Sequence, residues 1–485
     1  MCIHQKFIAL NIVTLIWLLL QSCATYTQQI QQVQLNLAQQ NFEKANKEID
    51  KTRLLKKDRN RLLYLLEKGK MLHLLQQYDS SNKYLNQADE LIENSHTTAK
   101  DILVTGLLNP MLQTYKPEAF ESFMVHYYKA LNYIFIGNTE DALVEARRIT
   151  LTNQRQQDKV GFKQNKYSND AFSLMLQGLL YEKANDINNA FIAYRNAADV
   201  YLNNNNTYYG TTIPNQLKND VLRTAATMGF WDEQQRYQKL FNQNYIQQIK
   251  PIGGELILFW ESGLAPKKAQ QTINFNVIGS NGQLFFTDAQ GQYHIPVDNS
   301  ITSMGNAATL SDIQLYVITL PTYTATALQL NKGTININNE QYAFEKAQNI
   351  SAMAIEILQD RFGKELATAL TKMALKKLTE IAATPKRNPN RTYKNQEEKA
   401  KVEKQQDVQA LLALGLKIFN RATEKADTRN WQSLPNTIFY SRVPLQMGIN
   451  KIEVNMQGLQ GQIQHKTLTV QGNGTLQFAT IYTIQ

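Results

Sequence analysis

The side chains that could do chemistry are sparse in this sequence, and the most informative one is a thiol at the end of an apolar run. The chain of 485 residues has two cysteines, Cys2 and Cys23. Cys23 follows Ser22 and the largely apolar residues 7–20, with Lys6 ahead of them. A basic start, a short apolar run and a small residue before a cut site are typical of a secretory signal peptide. The run is too short to be a comfortable membrane span.

The tetrapeptide LQSC at residues 20–23 resembles the lipobox of bacterial lipoproteins. The resemblance implies that residues 1–22 are a signal peptide, and that Cys23 carries a diacylglycerol thioether and becomes the acylated first residue. Residues 23–27 would then form a lipidated tether. Ala24, which stands where Asp would retain the protein, implies export to the outer membrane, with the chain facing the periplasm. An ordinary cleaved signal with a chance cysteine, or an uncleaved anchor, is the alternative.

The charge balance limits the class of partner. The formal net charge is +10, which favours anionic surfaces such as phospholipid, lipopolysaccharide or acidic cell-wall polymers. No segment reads as a base-reading module, so a nucleic-acid partner is not expected. With Cys2 removed and Cys23 lipidated, no disulfide is expected in the mature chain. Beyond Cys23 no apolar run approaches the length of a second membrane crossing.

The remaining reactive residues do not form a recognisable catalytic motif. The six histidines lie apart in the sequence, without pairs at i, i+3 or i, i+4, so we predict no metal, no cofactor and no enzymatic activity. Two polar clusters stand out. Glu261 lies beside Gly263, and Asp427, Arg429 and Trp431 lie between a predicted helix and a predicted strand. We expect the second cluster to be structural, with Arg429 paired to a carboxylate.

Helical periodicity dominates residues 28–244, where glycine and proline are rare. In the clearest unit, residues 172–201, small residues at Gly178 and Ala190 alternate with aromatic residues such as Tyr194. This spacing is typical of the tetratricopeptide repeat, in which small residues let paired helices approach. Similar units occur at 126–149 and 65–92, with insertions at 97–121 and 151–170. The alternative is an irregular helical bundle.

Stacked helical repeats form a concave groove that usually holds peptides or extended segments of partner proteins. The candidate partner-binding groups are Tyr127, Tyr128, Glu145, Arg147 and Arg148. The alternative is that Glu145 and Arg148, at i and i+3, form an ordinary pair on a solvated helix face.

The periodicity changes toward two after residue 244, which predicts a β-rich module over 245–339. Strands are expected at 255–260, in a hairpin at 283–297, and at 312–321 with a partner at 323–330. A helical hairpin follows at 340–426, interrupted by a basic, mobile loop at 384–406. That loop is either plainly solvated or in contact with anionic lipid or polymer.

The last 59 residues, 427–485, read as four short strands that complete the β-rich module. The predicted fold class is therefore α+β. A tetratricopeptide-like α-solenoid is followed by an antiparallel β-rich domain that contains an inserted helical hairpin.

Two segments carry a resemblance at family level. ELILFWESGLAPKK, residues 255–268, and ADTRNWQSLPNTIFYSR, residues 426–442, resemble a family of tetratricopeptide-repeat-like outer-membrane lipoproteins of Gram-negative bacteria. The resemblance implies this architecture and no agreed biochemical function. It also implies an association with lipoprotein activators of penicillin-binding proteins, and so with the peptidoglycan machinery.

Three functional hypotheses follow. The first is a non-enzymatic, lipid-anchored scaffold that binds envelope proteins through a helical-repeat groove. The second is an activator of peptidoglycan synthesis or an accessory of a glycan-acting enzyme. The third is a structural envelope protein whose modules span space.

Overall fold

The computed structural model describes residues 26–94, 110–160, 169–247, 249–280, 283–298, 316–383, 396, 402 and 425–484. The predicted signal peptide and Cys23 lie outside the described residues. So do nearly all of the basic loop 384–406 and the second helix of the predicted hairpin. Of the residues that the structure describes, 48% are helical and 27% are strand, which confirms the mixed helix and sheet class.

The helices lie mainly in the first half of the described chain. Their bounds are α1 Tyr26–Gln29, α2 Gln31–Ala38, α3 Phe42–Lys51, α4 Arg61–Leu74, α5 Tyr78–Glu93, α6 Ala119–Phe135, α7 Thr139–Val160, α8 Ala171–Lys183, α9 Ile187–Leu202, α10 Asn215–Met228, α11 Trp231–Phe241 and α12 Ile350–Ala383. Short 3₁₀ turns occupy Asp58–Asn60 and Pro110–Leu112. Among the described residues, no helix combines the length and the apolar character needed to cross a membrane.

Consecutive helices pack as pairs: α2 with α3, α4 with α5, α6 with α7, α8 with α9, and α10 with α11. Side-chain caps help to fix where helices begin, since Asp170 accepts from the backbone of Ser173 at the start of α8. The close approach inside a pair depends on small residues. A Cβ at Gly178 would lie 2.5 Å from the ring of Tyr194 on the partner helix, so only glycine fits there without a shift.

The strands follow, apart from one small hairpin within the helical half. Their bounds are β1 Thr207–Tyr208, β2 Thr211–Thr212, β3 Glu255–Ser262, β4 Lys267–Ser280, β5 Gln283–Asp288, β6 His294–Pro296, β7 Tyr316–Thr324, β8 Leu330–Ile337, β9 Glu340–Ala343, β10 Glu345–Asn349, β11 Thr437–Pro444, β12 Gly448–Gly458, β13 Ile463–Gly472 and β14 Leu476–Thr483.

Three four-stranded sheets result. The central sheet has the order β10-β11-β3-β14, the outer sheet β13-β12-β8-β9, and the side sheet β6-β5-β4-β7. All neighbouring strands are antiparallel except β3 and β14, which run parallel from Glu255–Leu476 to Ser262–Thr483.

Strand β3 connects the layers because its side chains alternate between two faces. Ile257 and Phe259 join the helical core, whereas Leu256, Leu258 and Trp260 join the core shared with the outer sheet. Both faces are apolar, so β3 reads as an uninterrupted buried run. Helix α12 instead packs on the side sheet.

We call the surface of α4, α6 and α8 that contacts the central sheet the inner face. There Tyr127 of α6 and Phe172 of α8 both contact the ring of Phe259 on β3, with centroids 5.7 Å and 6.0 Å away. The two halves of the described chain therefore share one hydrophobic core.

Several sequence expectations differ from the structure in the β-rich half. The segment 323–330 is not the partner of the preceding strand: β7 continues to Thr324 and pairs with β4, whereas Leu330 begins β8, which pairs with β9 and β12. No strand was expected between residues 260 and 283, yet Lys267–Ser280 form the long strand β4. Its polar side chains Thr272, Asn274 and Asn276 are exposed and alternate with buried Ile273 and Phe275.

The predicted helical segment does not begin at 340. Strands β9 and β10 occupy 340–349 because they pair with β8 and β11, and the helix begins only at Ile350. The helical region 28–244 also contains the β1–β2 hairpin. The predicted tether 23–27 is shortened as well, because Tyr26 has no exposed surface and belongs to the fold.

Candidate functional site at the inner face

Buried polar side chains form a stripe on the inner face. In α4 the residues Glu67, Lys70 and His73 follow one another at intervals of three, so they lie on one face of the helix. All three are buried, at 2%, 1% and 1% exposure. Such groups are costly to desolvate unless they are paired or hydrogen-bonded. Their partners therefore determine what this surface does.

The first partner is a stretch of the chain's own backbone. We call residues 426–436 the inserted segment, because it runs along the inner face and every residue from Thr428 onward is buried. The backbone N–H of Trp431 donates to Glu121 Oε1 at 2.6 Å, and that of Gln432 donates to Glu67 Oε1 at 3.0 Å. Carboxylates of two helix pairs thus bind an extended backbone, which is how a repeat groove would hold a peptide.

Arg429 fixes the beginning of the inserted segment. Its guanidinium group donates from Nε and a terminal nitrogen to both oxygens of Asp427, at 2.8 Å and 2.6 Å. Its other terminal nitrogen donates to Asn60 Oδ1 at 2.6 Å and to the carbonyl oxygen of Gln113 at 2.9 Å. Arg429 is 1% exposed, so the fork geometry of arginine joins three separate parts of the chain.

The two carboxyl groups that hold the inserted segment are electrostatically unusual. Burial raises the pKa of Glu67 and of Glu121 to about 7. Their hydrogen-bond donors are backbone N–H groups and tyrosine hydroxyls: Tyr26 donates to Glu67 at 3.0 Å and Tyr115 donates to Glu121 at 2.6 Å. Neutral donors only partly replace the lost hydration, so the charged form remains disfavoured.

A second group of contacts joins α4 and α6 to β3. Lys70 forms a buried ion pair with Glu261, and the hydroxyl of Tyr128 donates to Glu261 Oε2 at 3.1 Å. His73 bridges Asn132 and the hydroxyl of Tyr482, at 2.6 Å and 2.7 Å. Burial, and then the charge of Lys70, lower the pKa of His73 to about 3, so this imidazole is neutral at physiological pH.

A third group lies at the far end of the inner face. Arg442 of β11 is 8% exposed and forms ion pairs with Glu182 at 2.6 Å, Asp220 at 3.0 Å and Glu255 at 2.6 Å. Burial by itself would raise the pKa of Glu182, but the guanidinium groups of Arg442 and Arg223 hold it well below its ordinary value. Here the charges are compensated by opposite charges.

A related pairing fixes helix α12. Lys268 and Arg361 both contact Glu118, at 2.6 Å and 2.7 Å. Burial opposes the charged form, yet these two cations hold the pKa of Glu118 at about 2.

Among the described residues, one group of metal-ligating side chains comes together: Asp89, His126 and Glu145, with ligand atoms within 4.8 Å of one another. Lys129 Nζ lies 2.7 Å from Asp89 and 2.9 Å from Glu145. Because Lys129 pairs with both carboxylates and Arg148 pairs with Asp89 as well, the residues present fit a buried ion-pair cluster better than a metal site. No sequence pattern indicated this cluster, since its histidine stands alone in the sequence.

Three of the five predicted groove residues are not accessible. Tyr127, Tyr128 and Glu145 are 1%, 0% and 3% exposed, so they cannot contact a partner in this conformation. Glu145 pairs with Lys129 and His126 rather than with Arg148. Arg148 instead pairs with Asp89 at 2.6 Å, and Arg147 is exposed on α7. These five residues do not form one groove, because the chain's own β layers and α5 cover the surfaces around them.

The structure buries Arg429 and Trp431 and leaves Asp427 half-buried, paired with Arg429, but the sequence did not identify what the segment contacts. The missed residues are Glu67, Glu121 and Lys70. A signal was present: each is a charged residue inside a largely apolar helical segment, LLEKGKMLHL or AFESFMVHYY. A charge in such a position has to be buried with a partner.

No protein-family model matches the chain, and no curated protein matches it. Among solved structures, the chain is similar to the apo form of RapI, with 11% identity and a TM-score of 0.32 over 44% of this chain and 52% of RapI. MamA shows 16% identity and a TM-score of 0.26 over 42% of this chain and 89% of MamA. A Rap protein complexed with competence and sporulation factor shows 14% identity and a TM-score of 0.27, covering 46% and 56%.

These neighbours are tetratricopeptide-like helical repeat proteins. The match spans about half the length of RapI. At such low TM-scores the similarity supports no statement about function.

Proposed function

We propose that the protein is a lipid-anchored, non-enzymatic scaffold of the bacterial envelope, held at the periplasmic face of the outer membrane. It binds other proteins through the exposed surfaces of its outer helices, α3, α5, α7 and α9. The observation that carries the proposal is the binding of the inserted segment by Glu67 and Glu121 on the inner face. The repeat uses its groove for its own chain and so becomes a rigid body. Partner proteins therefore have to bind the helix surfaces that remain exposed to solvent.

The non-enzymatic part rests on where the perturbed groups lie. Strongly shifted pKa values at a cleft indicate catalysis, but structural ion-pair networks shift pKa values equally well. Glu67, Glu121 and His73 are each 2% exposed or less, and each is hydrogen-bonded to groups of the same chain. Their shifts are explained by folding, without a substrate.

The lipid-anchored part rests on the LQSC sequence and on the position of Tyr26. Tyr26 is buried, and its backbone N–H donates to Thr428 at 3.3 Å. Two residues, Ala24 and Thr25, lie between Cys23 and Tyr26, so three Cα-to-Cα steps join them, and an extended chain spans at most about 3.6 Å per step. A lipid on Cys23 would therefore hold the folded body within roughly 11 Å of the bilayer surface, without a long spacer.

In-cell photo-crosslinking tests the proposal. A photoreactive residue replaces exposed Arg147 on the outer helix α7, in the full-length chain and in a matched chain carrying Cys23→Ser. We expect a discrete protein adduct that is lost or strongly reduced when Cys23 is replaced, since the protein then leaves the membrane. A second photoreactive position, the exposed Leu459 in the β12–β13 hairpin, serves as the control and should give no such adduct.

Two results would overturn the proposal. One is the absence of adducts from photoreactive residues placed along α3, α5, α7 and α9. The other is peptidoglycan cleavage or synthesis by the purified protein alone, which would make it an enzyme. Stimulation of a peptidoglycan synthase by the purified protein would instead identify the partner class and favour an activator.

A further inference from the structure

Two neighbouring loops expose apolar side chains at one edge of the molecule. We call the described residues 246–247, 249–252 and 446–450 the edge loops. Ile249, Ile252 and Ile449 are 95%, 81% and 78% exposed, and Ile246 and Met447 are exposed as well. Single exposed apolar residues are normal on a protein surface, whereas several close together mark an interaction site.

Backbone contacts hold the edge loops side by side. Gly253 N–H donates to the carbonyl oxygen of Leu445 at 3.1 Å, and Gly474 N–H donates to the carbonyl oxygen of Gly253 at 3.0 Å. A Cβ at Gly253 would lie 2.2 Å from the carbonyl carbon of Gln446, so this approach requires glycine. Ile252 and Met447, each one residue from these contacts, therefore lie at the same edge of the molecule.

The charge of this surface is positive. Residues 242–254, 445–450 and 471–477 contain no Asp or Glu. Lys250 is exposed between Ile249 and Ile252. At the same edge Lys183 Nζ donates to Thr475 at 3.4 Å. Lys451 is nearby but is paired with Glu453 at 2.9 Å, so it adds no net charge.

We infer that the edge loops dock on the surface of an anionic phospholipid bilayer. Isoleucine and methionine side chains at loop tips can enter the interface between headgroups and acyl chains, while lysine side chains contact the lipid phosphates. A second copy of the chain fits less well, because a stable protein interface needs about 20–30 residues from each side, and the edge loops supply few. This contact would be separate from the lipid on Cys23 and would orient the folded body on the membrane.

Vesicle sedimentation tests the inference without the lipid anchor. The protein is residues 23–485 with Cys23→Ser, which retains everything that the structure describes. It is mixed with vesicles of phosphatidylethanolamine and phosphatidylglycerol at three to one, or with phosphatidylcholine vesicles. We expect sedimentation with the anionic vesicles, weaker at high salt, and little with phosphatidylcholine. The variant Ile249→Asn/Ile252→Asn/Ile449→Asn should bind about tenfold more weakly or worse, a loss of at least ~1.4 kcal/mol.

The chain offers a matched control at the other end of the β12–β13 hairpin. Leu459 and Ile463 are also exposed, at 79% and 58%, but residues 457–463 carry no charge. Leu459→Asn/Ile463→Asn should leave binding unchanged, and Lys250→Gln should reduce both the binding and its salt dependence. Thermal unfolding confirms that each variant is folded.

Equal binding by the triple variant and the parent would overturn the inference, and so would no binding of the parent to anionic vesicles. Dimerisation of the parent that the triple variant abolishes would show that a second copy occupies the edge loops. None of these outcomes depends on lipidation of Cys23 or on the crosslinking partner, so the scaffold proposal is tested separately.

Discussion

Both ends of the inner face bind the β-rich half through buried carboxylates, but the charges of these carboxylates are compensated differently. At the amino-terminal end, Glu67 and Glu121 bind backbone N–H groups of the inserted segment, and burial raises their pKa to about 7. At the carboxy-terminal end, Glu182 and Asp220 bind the guanidinium group of Arg442. At the first end, carboxyl groups accept hydrogen bonds from neutral backbone donors. At the second end, carboxylates form ion pairs with a guanidinium group.

The difference predicts opposite pH responses of Glu67 and Glu182, although burial raises the pKa of Asp220 at the carboxy-terminal end as well. Around neutrality the acids at the amino-terminal end titrate, because their pKa values lie there. Glu182 stays charged, because the pKa of its carboxyl is held well below its ordinary value. A partner or a pH change that releases part of the β layers would therefore release the inserted segment first.

The largest expected effect is at the carboxy-terminal end. Arg442→Met leaves Glu182, Asp220 and Glu255 without their shared cation. Removing one partner of a buried ion pair costs about 3–5 kcal/mol of unfolding free energy, measurable as a lower urea midpoint. Arg236→Ala is the control, because Arg236 forms an exposed pair with Glu233 and should lose about 1 kcal/mol or less. An Arg442 variant no less stable than the control would contradict the importance of this pairing.

The next effect concerns the amino-terminal end and depends on pH. The folded state keeps a proton on Glu67 up to about pH 7, whereas the unfolded chain releases it near the ordinary glutamate pKa of 4.5. Stability from this group is thus present at low pH, falls between pH 4.5 and pH 7, and stays lost above pH 7. The glutamine side chain in the Glu67→Gln variant cannot titrate. At pH 8 the variant should therefore be more stable than the parent by up to roughly 3 kcal/mol. Urea unfolding of both proteins at pH 4.5 and at pH 8 measures this difference.

The same substitution at the other end should act with the opposite sign. Glu182 has a lowered pKa, so its contribution is present above the ordinary carboxyl pKa and is lost as the pH falls below it. Glu182→Gln should therefore destabilise the protein at pH 8. Equal pH dependence in the two variants would remove the distinction between the two ends.

A smaller effect is expected at Arg429. Lysine keeps the charge but cannot donate to both oxygens of Asp427 while also reaching Asn60 and the Gln113 carbonyl oxygen. Arg429→Lys should lose about 1–3 kcal/mol. The loss should be accompanied by faster hydrogen exchange in the inserted segment and not around Arg442. Exchange that rises equally at both positions would mean that the two ends open together.

Local sequence patterns were sufficient to predict the helix pairs. The spacing of Gly178 and Tyr194 predicts a close approach that the structure contains, since a helical repeat contact is set by neighbouring turns. The strand β4 was not predicted, because most of its residues are polar and apolar side chains alternate with them over only part of its length.

The candidate site depends on contacts that no local pattern can reveal. Trp431 and Glu121 are 310 residues apart, and Gln432 and Glu67 are 365 residues apart. In addition, the contacts are made by backbone N–H groups, which every non-proline residue has. The side chains of the inserted segment therefore did not indicate which helices bind it. Only the buried charges on α4 and α6 indicated that a partner was needed.

Hydrogen exchange of the inserted segment tests the central claim most directly. In residues 23–485 with Cys23→Ser, peptides covering Trp431 and Gln432 are compared with peptides from α4 and from the exposed hairpin tip at 459–462. If the inner face permanently holds its own segment, the amides of Trp431 and Gln432 exchange as slowly as those inside α4. Exchange as fast as that of the hairpin tip would show an open groove and would contradict the account.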